Sequence, residues 1–563
     1  MNPMEALREG AKKSIEKGLN SLGYEGKLIF QRAPEGKGVL ALPCFLISKE
    51  TGKNPAEVSK MLEESFDPTP LIKEAKAFGP YLNFFPDFPE FSRMVISEIM
   101  KDEDYGRAVE KGEKILLEHT SANPTGPLHV GRARNPIIGD TLARILRKYG
   151  NEVETEYYVD DMGKQAVMVA WGVERFGPAK EGERADYLYV KHYQRVNELI
   201  EKDEDVKREI EEWIRLYESG DEEIRKKVRR TVEQMMGGIL KSLNRLGIDL
   251  DNLAYESDIV FSGKVDEVVN GLKEKGVLEE ENGALYIDLG KYGVKGKDTR
   301  FFITRSDGTS LYSTRDVAYH IDKLNRADHL IDVLGEDHRL QSKAVGIMLE
   351  ILGYEVPEVV FYAFVGLPEG RMSTRKGRVV YLDDLIEEAV ERAYHEVKKR
   401  RSDLSEEEMK RIAEAVGTSA IRYNIIRVQP EKKMVFRWED ALNFEGESAP
   451  FIQYSYARAS SIIRKAGEFS DEMVYEEEGE HKLILKMAEF PDVIRESAEK
   501  RRPHVVAQYL RDLASQFNEF YRDHRVIDAP EPLRSSRLNM VEAFRKVMRE
   551  GMYALGLRVL ERM

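Results

Sequence analysis

Thiols are nearly absent from this chain: Cys44 is the one cysteine among 563 residues. A lone thiol forms no intrachain disulfide and builds no thiolate zinc site, so neither redox nor cysteine–metal chemistry is expected. No apolar run approaches the roughly 18 residues needed to cross a bilayer, and no membrane segment is expected. Residues 1–19 alternate charged side chains with scattered Ala, Ile and Leu and lack the apolar core of a secretory signal, so a cytoplasmic location is expected. A basic excess is missing as well, since 87 Lys and Arg face 101 Asp and Glu for a formal charge of −14. Indiscriminate nucleic-acid binding feeds on a basic surface that displaces counterions from phosphates, so any RNA contact should be local. Residues 451–563 stand apart, with nineteen basic side chains balancing nineteen acidic ones. Tandem repeats and low-complexity tracts are also absent.

What is present is the composition of an ordinary globular protein, 42% hydrophobic and 33% charged. The length is several times a typical domain of roughly 150 residues, so three or four domains are expected. Residues 1–112 mix helix-like stretches with strand-like ones at 27–31 and 81–85 and read as a small α+β domain with a polar linker. At 114 the texture changes. A strand at 115–119 runs into a loop punctuated by Pro124, Gly126 and Pro127, then into a helix with apolar spacing at Ile138, Leu142, Ile145, Leu146 and Tyr149. This is the strand, loop, helix opening of a doubly wound, Rossmann-like sheet. Further strands at 153–159 and 329–334 end in the polar clusters Asp160-Asp161 and Gly335-Glu336-Asp337-His338, and such strand ends are where these sheets bind ligands. Residues 168–247 read as a charge-rich helical insertion that splits the sheet. The predicted α/β domain spans 113–381, and 382–563 reads as an all-helical C-terminal domain. Pro136, inside the expected helix, predicts a lost backbone hydrogen bond and a kink.

The densest cluster of chemistry is Ser121 followed by Ala122-Asn123-Pro124-Thr125-Gly126-Pro127-Leu128-His129-Val130-Gly131-Arg132. A nucleotide needs small residues where its phosphates approach the backbone, and donors at a helix N-terminus. Gly131 gives the room and His129 an imidazole donor. The string resembles the HIGH signature of class I aminoacyl-tRNA synthetases, with Arg132 in place of the final His. About 240 residues later Gly370-Arg371-Met372-Ser373-Thr374-Arg375-Lys376-Gly377 resembles the KMSKS signature, whose two lysine positions hold Arg371 and Thr374 here. Arginyl-tRNA synthetases commonly depart from consensus in this loop. Blocks at 157–165, 307–316 and 449–458 resemble the same family, as do Pro503-His504, 517–521 and Gly79-Pro80-Tyr81-Leu82-Asn83-Phe84, so the likeness runs close to the full chain.

The resemblance implies an ATP-dependent arginine–tRNA ligase with an N-terminal tRNA-binding domain and a helical anticodon-binding domain. Its substrates would be ATP with Mg²⁺, L-arginine and tRNA(Arg), no further metal is expected, and the chain would act as a monomer. It assigns catalysis to His129, Arg371 and Lys376, and ATP contacts to His129, Gly131, Arg132, Met372, Ser373, Arg375 and Lys376. Which of Arg371, Arg375 and Lys376 neutralises the phosphates stays open. Tyr312 and Asp316 would bind the guanidinium, while Glu118, Asn123 and His338 hold the rest of the amino acid. Chemistry agrees: a guanidinium selects a carboxylate with further acceptors, and Tyr312 and Asp316, four apart, share a face if that stretch is helical. Asn83, Tyr454, Tyr456 and Arg458 would contact tRNA, with Phe517 and Tyr521 as weaker candidates. Asp160 and Asp161 either orient the tRNA end or cap a strand. A lysine-, cysteine- or glutamate-specific relative and a non-catalytic RNA-binding derivative are the rival readings; a single thiol disfavours the cysteine enzyme, and the retained His129, Gly131 and basic loop disfavour the derivative.

Overall fold

The computed structural model describes residues 2–108, 112–366 and 380–563. In the N-terminal region, helix Pro3–Ser14 starts under the side chain of Asn2, which accepts from the amides of Met4 and Glu5. Four antiparallel strands, β1 (Gln31–Arg32), β2 (Leu40–Pro43), β3 (Ile72–Phe78) and β4 (Tyr81–Pro86), form a sheet in the order β1-β2-β4-β3. The strand expected at 27–31 is mostly not one. Leu28 and Phe30 spend their alternation on packing against the core, Phe30 edge-on to Phe84, and the ladder begins only at Gln31. Helix Phe88–Lys101 then leads toward the C-terminal helices: Phe88 stacks on His481 at 4.5 Å and Lys546 donates to the carbonyl of Met100 at 2.7 Å.

The central sheet is wholly parallel. Its strands are β5 (Lys114–Glu118), β6 (Glu152–Val159), β7 (Asn252–Tyr255), then, after a small antiparallel sheet of β8 (Glu279–Glu281), β9 (Ala284–Asp288) and β10 (Arg300–Phe302), β11 (His329–Gly335) and β12 (Glu358–Tyr362). The order β12-β11-β5-β6-β7 places β5 in the middle, and the direction of winding reverses between β5 and β11. Such a switch point opens a crevice at the carboxyl ends of the strands, where ligands bind. Ile115, Leu116 and Leu117 are buried on both faces, as a covered parallel sheet requires.

Helix Arg134–Tyr149 follows β5 and presents Ile138, Leu142, Ile145 and Leu146 to the core. Pro136 does not kink it, because the helix begins at Arg134 and the ring falls in the first turn, where a backbone N–H has no intrahelical acceptor. The insertion is four helices, Lys164–Phe176, Ala185–Lys202, Glu204–Glu218 and Glu222–Arg245, the last two N-capped by Asp203 and Asp221. Its charged faces are solvated, as at the exposed Glu222–Lys226 pair.

From Leu382 the chain is helical, with long helices Leu382–Arg400, Glu406–Ile426, Ala449–Ala466, Pro503–Asp523 and Leu533–Leu555. One correction applies: β14 (Met434–Val435) pairs in parallel with β13 (Val365–Gly366), so this region lends a strand to the catalytic domain. Arg134 fixes the same junction. Its guanidinium, fully buried, donates to the carbonyls of Ala363, Gln429 and Lys432 at 2.6–2.7 Å and of Val428 at 3.3 Å.

Candidate active site

The loop after β5 is under local strain. Thr120 and Ser121 sit at φ +72° and +34°, a region unfavourable to residues with a Cβ. Buried polar bonds hold them there: the Thr120 amide donates to Asn135 Oδ1 at 2.6 Å, and Ser121 Oγ donates to Glu118 Oε1 at 2.8 Å while accepting from the Tyr158 amide at 3.1 Å. Tyr157 Oη donates to the carbonyl of Ala122 at 2.6 Å. Pro124, Pro127 and Leu128 are buried, Thr125 and Gly126 lie half-buried between, and Asn123 stands exposed on the rim.

His129 is exposed, and its Nδ1 accepts from the Gly131 amide at 3.0 Å. That contact leaves the proton on Nε2, so the exposed ring presents a donor. Burial and the neighbouring Arg132 hold the imidazole below its ordinary pKa, which keeps it neutral. A Cβ at Gly131 would lie 3.1 Å from His129 Nδ1, so a larger residue there would crowd the imidazole. Val130 through Arg132 form a short 3₁₀ turn that feeds the long helix, with Arg132 exposed beside it. The same segment is paired with the chain entering the C-terminal helices: the Val130 amide donates to the Val380 carbonyl at 3.1 Å and the Leu382 amide to the Leu128 carbonyl at 2.7 Å. Arg371, Met372, Ser373, Arg375 and Lys376 lie outside the described residues.

The opposite wall is helix Tyr312–Leu324, so Tyr312 and Asp316 are one turn apart as anticipated. Tyr312 is exposed, and Asp316 lies in a small cleft with His320, Asp332, Leu334, His338 and Gln341. Gln341 Nε2 donates to Asp316 Oδ2 at 3.3 Å. Thus Asp316 and His338 come together, whereas Glu118 turns inward, its Oε2 accepting from Lys323 Nζ at 2.8 Å. Sequence reading passed over His320, Lys323 and Asp332, although a polar stripe at 312, 316, 320 and 323 on one face of a helix was a usable signal.

It also passed over Glu256. This carboxyl is 1% exposed, faces Asp160 at hydrogen-bonding range and lies 3.6 Å from Arg315 Nη1. Burial and then the Asp160 charge push its pKa up to about 9, so at neutral pH one proton serves the pair. Asp161 is different in kind: it accepts from the amide and hydroxyl of Ser257 at 2.8 and 2.7 Å, a structural tie.

Among the residues assigned to RNA, Tyr454 and Arg458 form a surface platform. Arg458 lies over the rings of Tyr454 and Tyr521 at 4.8 and 5.7 Å and donates to Asn518 Oδ1 at 2.6 Å. Three others are corrected. Tyr456 is 2% exposed, because residues two apart on a helix point to different faces and Tyr454 takes the outer one. Phe517 is buried against Phe544 at 4.0 Å. Asn83 is 2% exposed, within the N-terminal sheet, and donates to the Lys37 carbonyl.

Comparison with known proteins accords with this geometry. Residues 94–438 match the family described as tRNA synthetases class I (R), catalytic domain; residues 452–563 match the DALR anticodon binding domain, and residues 7–85 the arginyl tRNA synthetase N terminal domain. The chain is 45% identical over 526 residues to an arginine–tRNA ligase of Methanocella arvoryzae, covering 92% of each chain. It is 42% identical to that of Methanothermobacter thermautotrophicus, covering 99% of each. The arginyl-tRNA synthetase of Thermus thermophilus superposes with a TM-score of 0.85 at 28% identity, covering 99% of this chain and all of that one. On these matches, together with the HIGH segment and the acidic cleft it faces, the chain belongs to the arginyl-tRNA synthetases of class I.

Proposed function

We propose that the crevice at the carboxyl ends of β5, β6 and β11 activates L-arginine with ATP and passes it to tRNA(Arg). The observation that carries this reading is the pairing of unlike walls: a neutral His129 donor beside the strained β5 loop, and an acidic cleft between Asp316 of the helix Tyr312–Leu324 and Asp332 of β11. One wall suits phosphate oxygens and the other a cation. The arginine carboxylate attacks the α-phosphorus of ATP in line and pyrophosphate leaves, so catalysis is positioning and charge neutralisation without a side-chain nucleophile. His129 Nε2 donates to the phosphates, the backbone beside Gly131 and Arg132 admits the nucleotide, and the family resemblance assigns further ATP contacts to Met372, Ser373, Arg371, Arg375 and Lys376. Mg²⁺ arrives as part of the ATP substrate. Tyr312 and Asp316 receive the guanidinium and Asn123 and His338 order the remainder, while Glu118, whose oxygens are bonded to Ser121 and Lys323, acts only by holding the wall. A terminal adenosine hydroxyl of tRNA then attacks the anhydride carbonyl and AMP departs.

Lysine leaves guanidinium acceptors unpaired, and sites built on such bonds reject the wrong ligand by about 10⁴ or more. Tyr454 and Arg458, with Tyr521, supply stacking and cationic contacts to RNA. The deciding experiment is charging of total tRNA with each radiolabelled amino acid, run beside pyrophosphate exchange with and without tRNA. Arginine-only charging is expected; charging of lysine would overturn the pocket assignment, and tight tRNA binding with no charging would overturn catalysis.

A further inference from the structure

Beneath the acidic cleft lies an unbroken chain of buried ionic contacts. His320 Nδ1 reaches the Asp316 carbonyl at 2.7 Å and Asp316 Oδ1 at 3.1 Å, and its Nε2 reaches Asp332 Oδ2 at 2.7 Å. Lys323 Nζ donates to Asp332 Oδ1 and to Glu118 Oε2, each at 2.8 Å, and Glu118 Oε1 accepts from Ser121 of the strained loop. His320, Lys323, Asp332 and Glu118 are each at most 7% exposed. The donor atoms of Glu118, His320 and Asp332 lie within 4.8 Å of one another, as around a metal, but the Lys323 ammonium already bonds two of the three.

Both ring nitrogens of His320 face oxygen acceptors, and only the doubly protonated ring donates from both. Two cations therefore stand among three carboxylates, leaving one negative charge, and Asp316 is the member at the open end. We infer that His320 is a positioning residue for arginine recognition: a buried imidazolium held between Asp316 and Asp332 that fixes the Asp316 carboxylate, ionised, toward the substrate guanidinium. This rests on the reading that Asp316 receives the guanidinium. The groups facing His320 are Asp316, Tyr319 and Lys323 on its own helix, Asp332 on β11, Glu118 on β5, and Gln341 and His338 across the cleft. The two carboxylates outweigh burial and the Lys323 charge and bring the imidazole up to about 10, consistent with the geometry.

Two measurements test this on the full-length enzyme. In ¹⁵N-histidine-labelled protein, with His320→Gln assigning one of the ten histidines, both nitrogens of His320 are expected to read as protonated from pH 6 to 9. A neutral ring at pH 8 would sink the proposal. In pyrophosphate exchange with saturating tRNA, His320→Gln is expected to raise the arginine KM about 10- to 100-fold, the loss typical of a hydrogen bond to a charged group, with the ATP KM unchanged. The variant's kcat at saturating arginine should stay near the wild type's, the split expected of a group that orders a binding carboxylate. A folded variant with an unchanged arginine KM overturns the proposal, provided Asp316→Asn does raise that KM. If Asp316→Asn has no effect, the underlying guanidinium assignment fails instead. Should His320→Gln not fold, His338→Gln and the other single-histidine variants complete the assignment by elimination and the wild-type spectrum decides.

Discussion

His129 carries two ring nitrogens in unlike settings, one committed to the Gly131 amide and one left to donate. His129→Ala should therefore lower kcat by roughly 10²- to 10³-fold, the usual loss of one preorganised donor, with arginine binding little changed. Steady-state kinetics checks this, and a loss confined to arginine KM would contradict it. Because burial lowers its pKa, the donor should stay neutral as pH falls to the ordinary imidazole range, and kcat should decline only below it. Asp316→Asn should raise the arginine KM about 10- to 100-fold and spare ATP; equal losses for both substrates would refute a guanidinium role. Residues of this kind were partly legible. His129 and Gly131 sit in a contiguous string, and Tyr312 and Asp316 share a helix face. Glu118 and Lys323 are 205 positions apart, so nothing local in the sequence announces their bond. Glu256 is hidden for the same reason: only folding brings it against Asp160.

Strand β5 and the helix Arg134–Tyr149 meet where His119 packs on Gly139. A Cβ added at Gly139 would fall 2.3 Å from the His119 side chain, so Gly139→Ala must push the helix off the sheet. Overpacking of this kind costs about 1–3 kcal/mol, readable as a lowered urea midpoint with an unchanged m-value. His119 itself is fully buried and, by desolvation, held down to about 4. Its folded pKa lies below the unfolded value, so the unfolded chain binds the extra proton. Stability is then complete above about pH 6.5 and lost toward pH 4, by roughly 3 kcal/mol in all. Urea titrations across that range should show the slope, and His119→Leu should flatten it. Elements with long apolar periodicity were legible, among them β5, β6, β11 and most C-terminal helices. The small sheet β8–β10 was not, since a strand reading Glu279-Glu280-Glu281 offers no alternation. β7 is four residues long and equally silent.

Across the whole molecule the N-terminal region packs on the C-terminal helices: Asn2 Nδ2 donates to Asp492 at 2.9 Å, and Tyr105 Oη to the Met487 carbonyl at 3.2 Å. An RNA that touches both the Arg458 platform and the HIGH segment must span from one to the other. Tyr454→Ala is expected to weaken tRNA binding by about 1–3 kcal/mol, the usual worth of one base–aromatic stack, whereas Tyr456→Phe should leave it unchanged. Filter binding distinguishes the two, and equal effects would remove the platform from the RNA interface. Domain order and the catalytic sheet were legible because composition and punctuation change at their borders. The cross-domain pairing of β13 with β14 was not, being two residues long on each side. Arg134 joins these scales. It sits at the amino end of the helix that follows HIGH, and although burial brings it down to about 10 it stays charged. Its Nη1 and Nη2 donate to carbonyls while the buried Nε has no partner, and no ion pair joins it to a described carboxylate. A positive charge walled off from mobile ions adds to the helix dipole at the HIGH turn, and its field is screened much less than that of a surface charge. Raising the ionic strength should therefore loosen the grip on tRNA long before it loosens the grip on ATP.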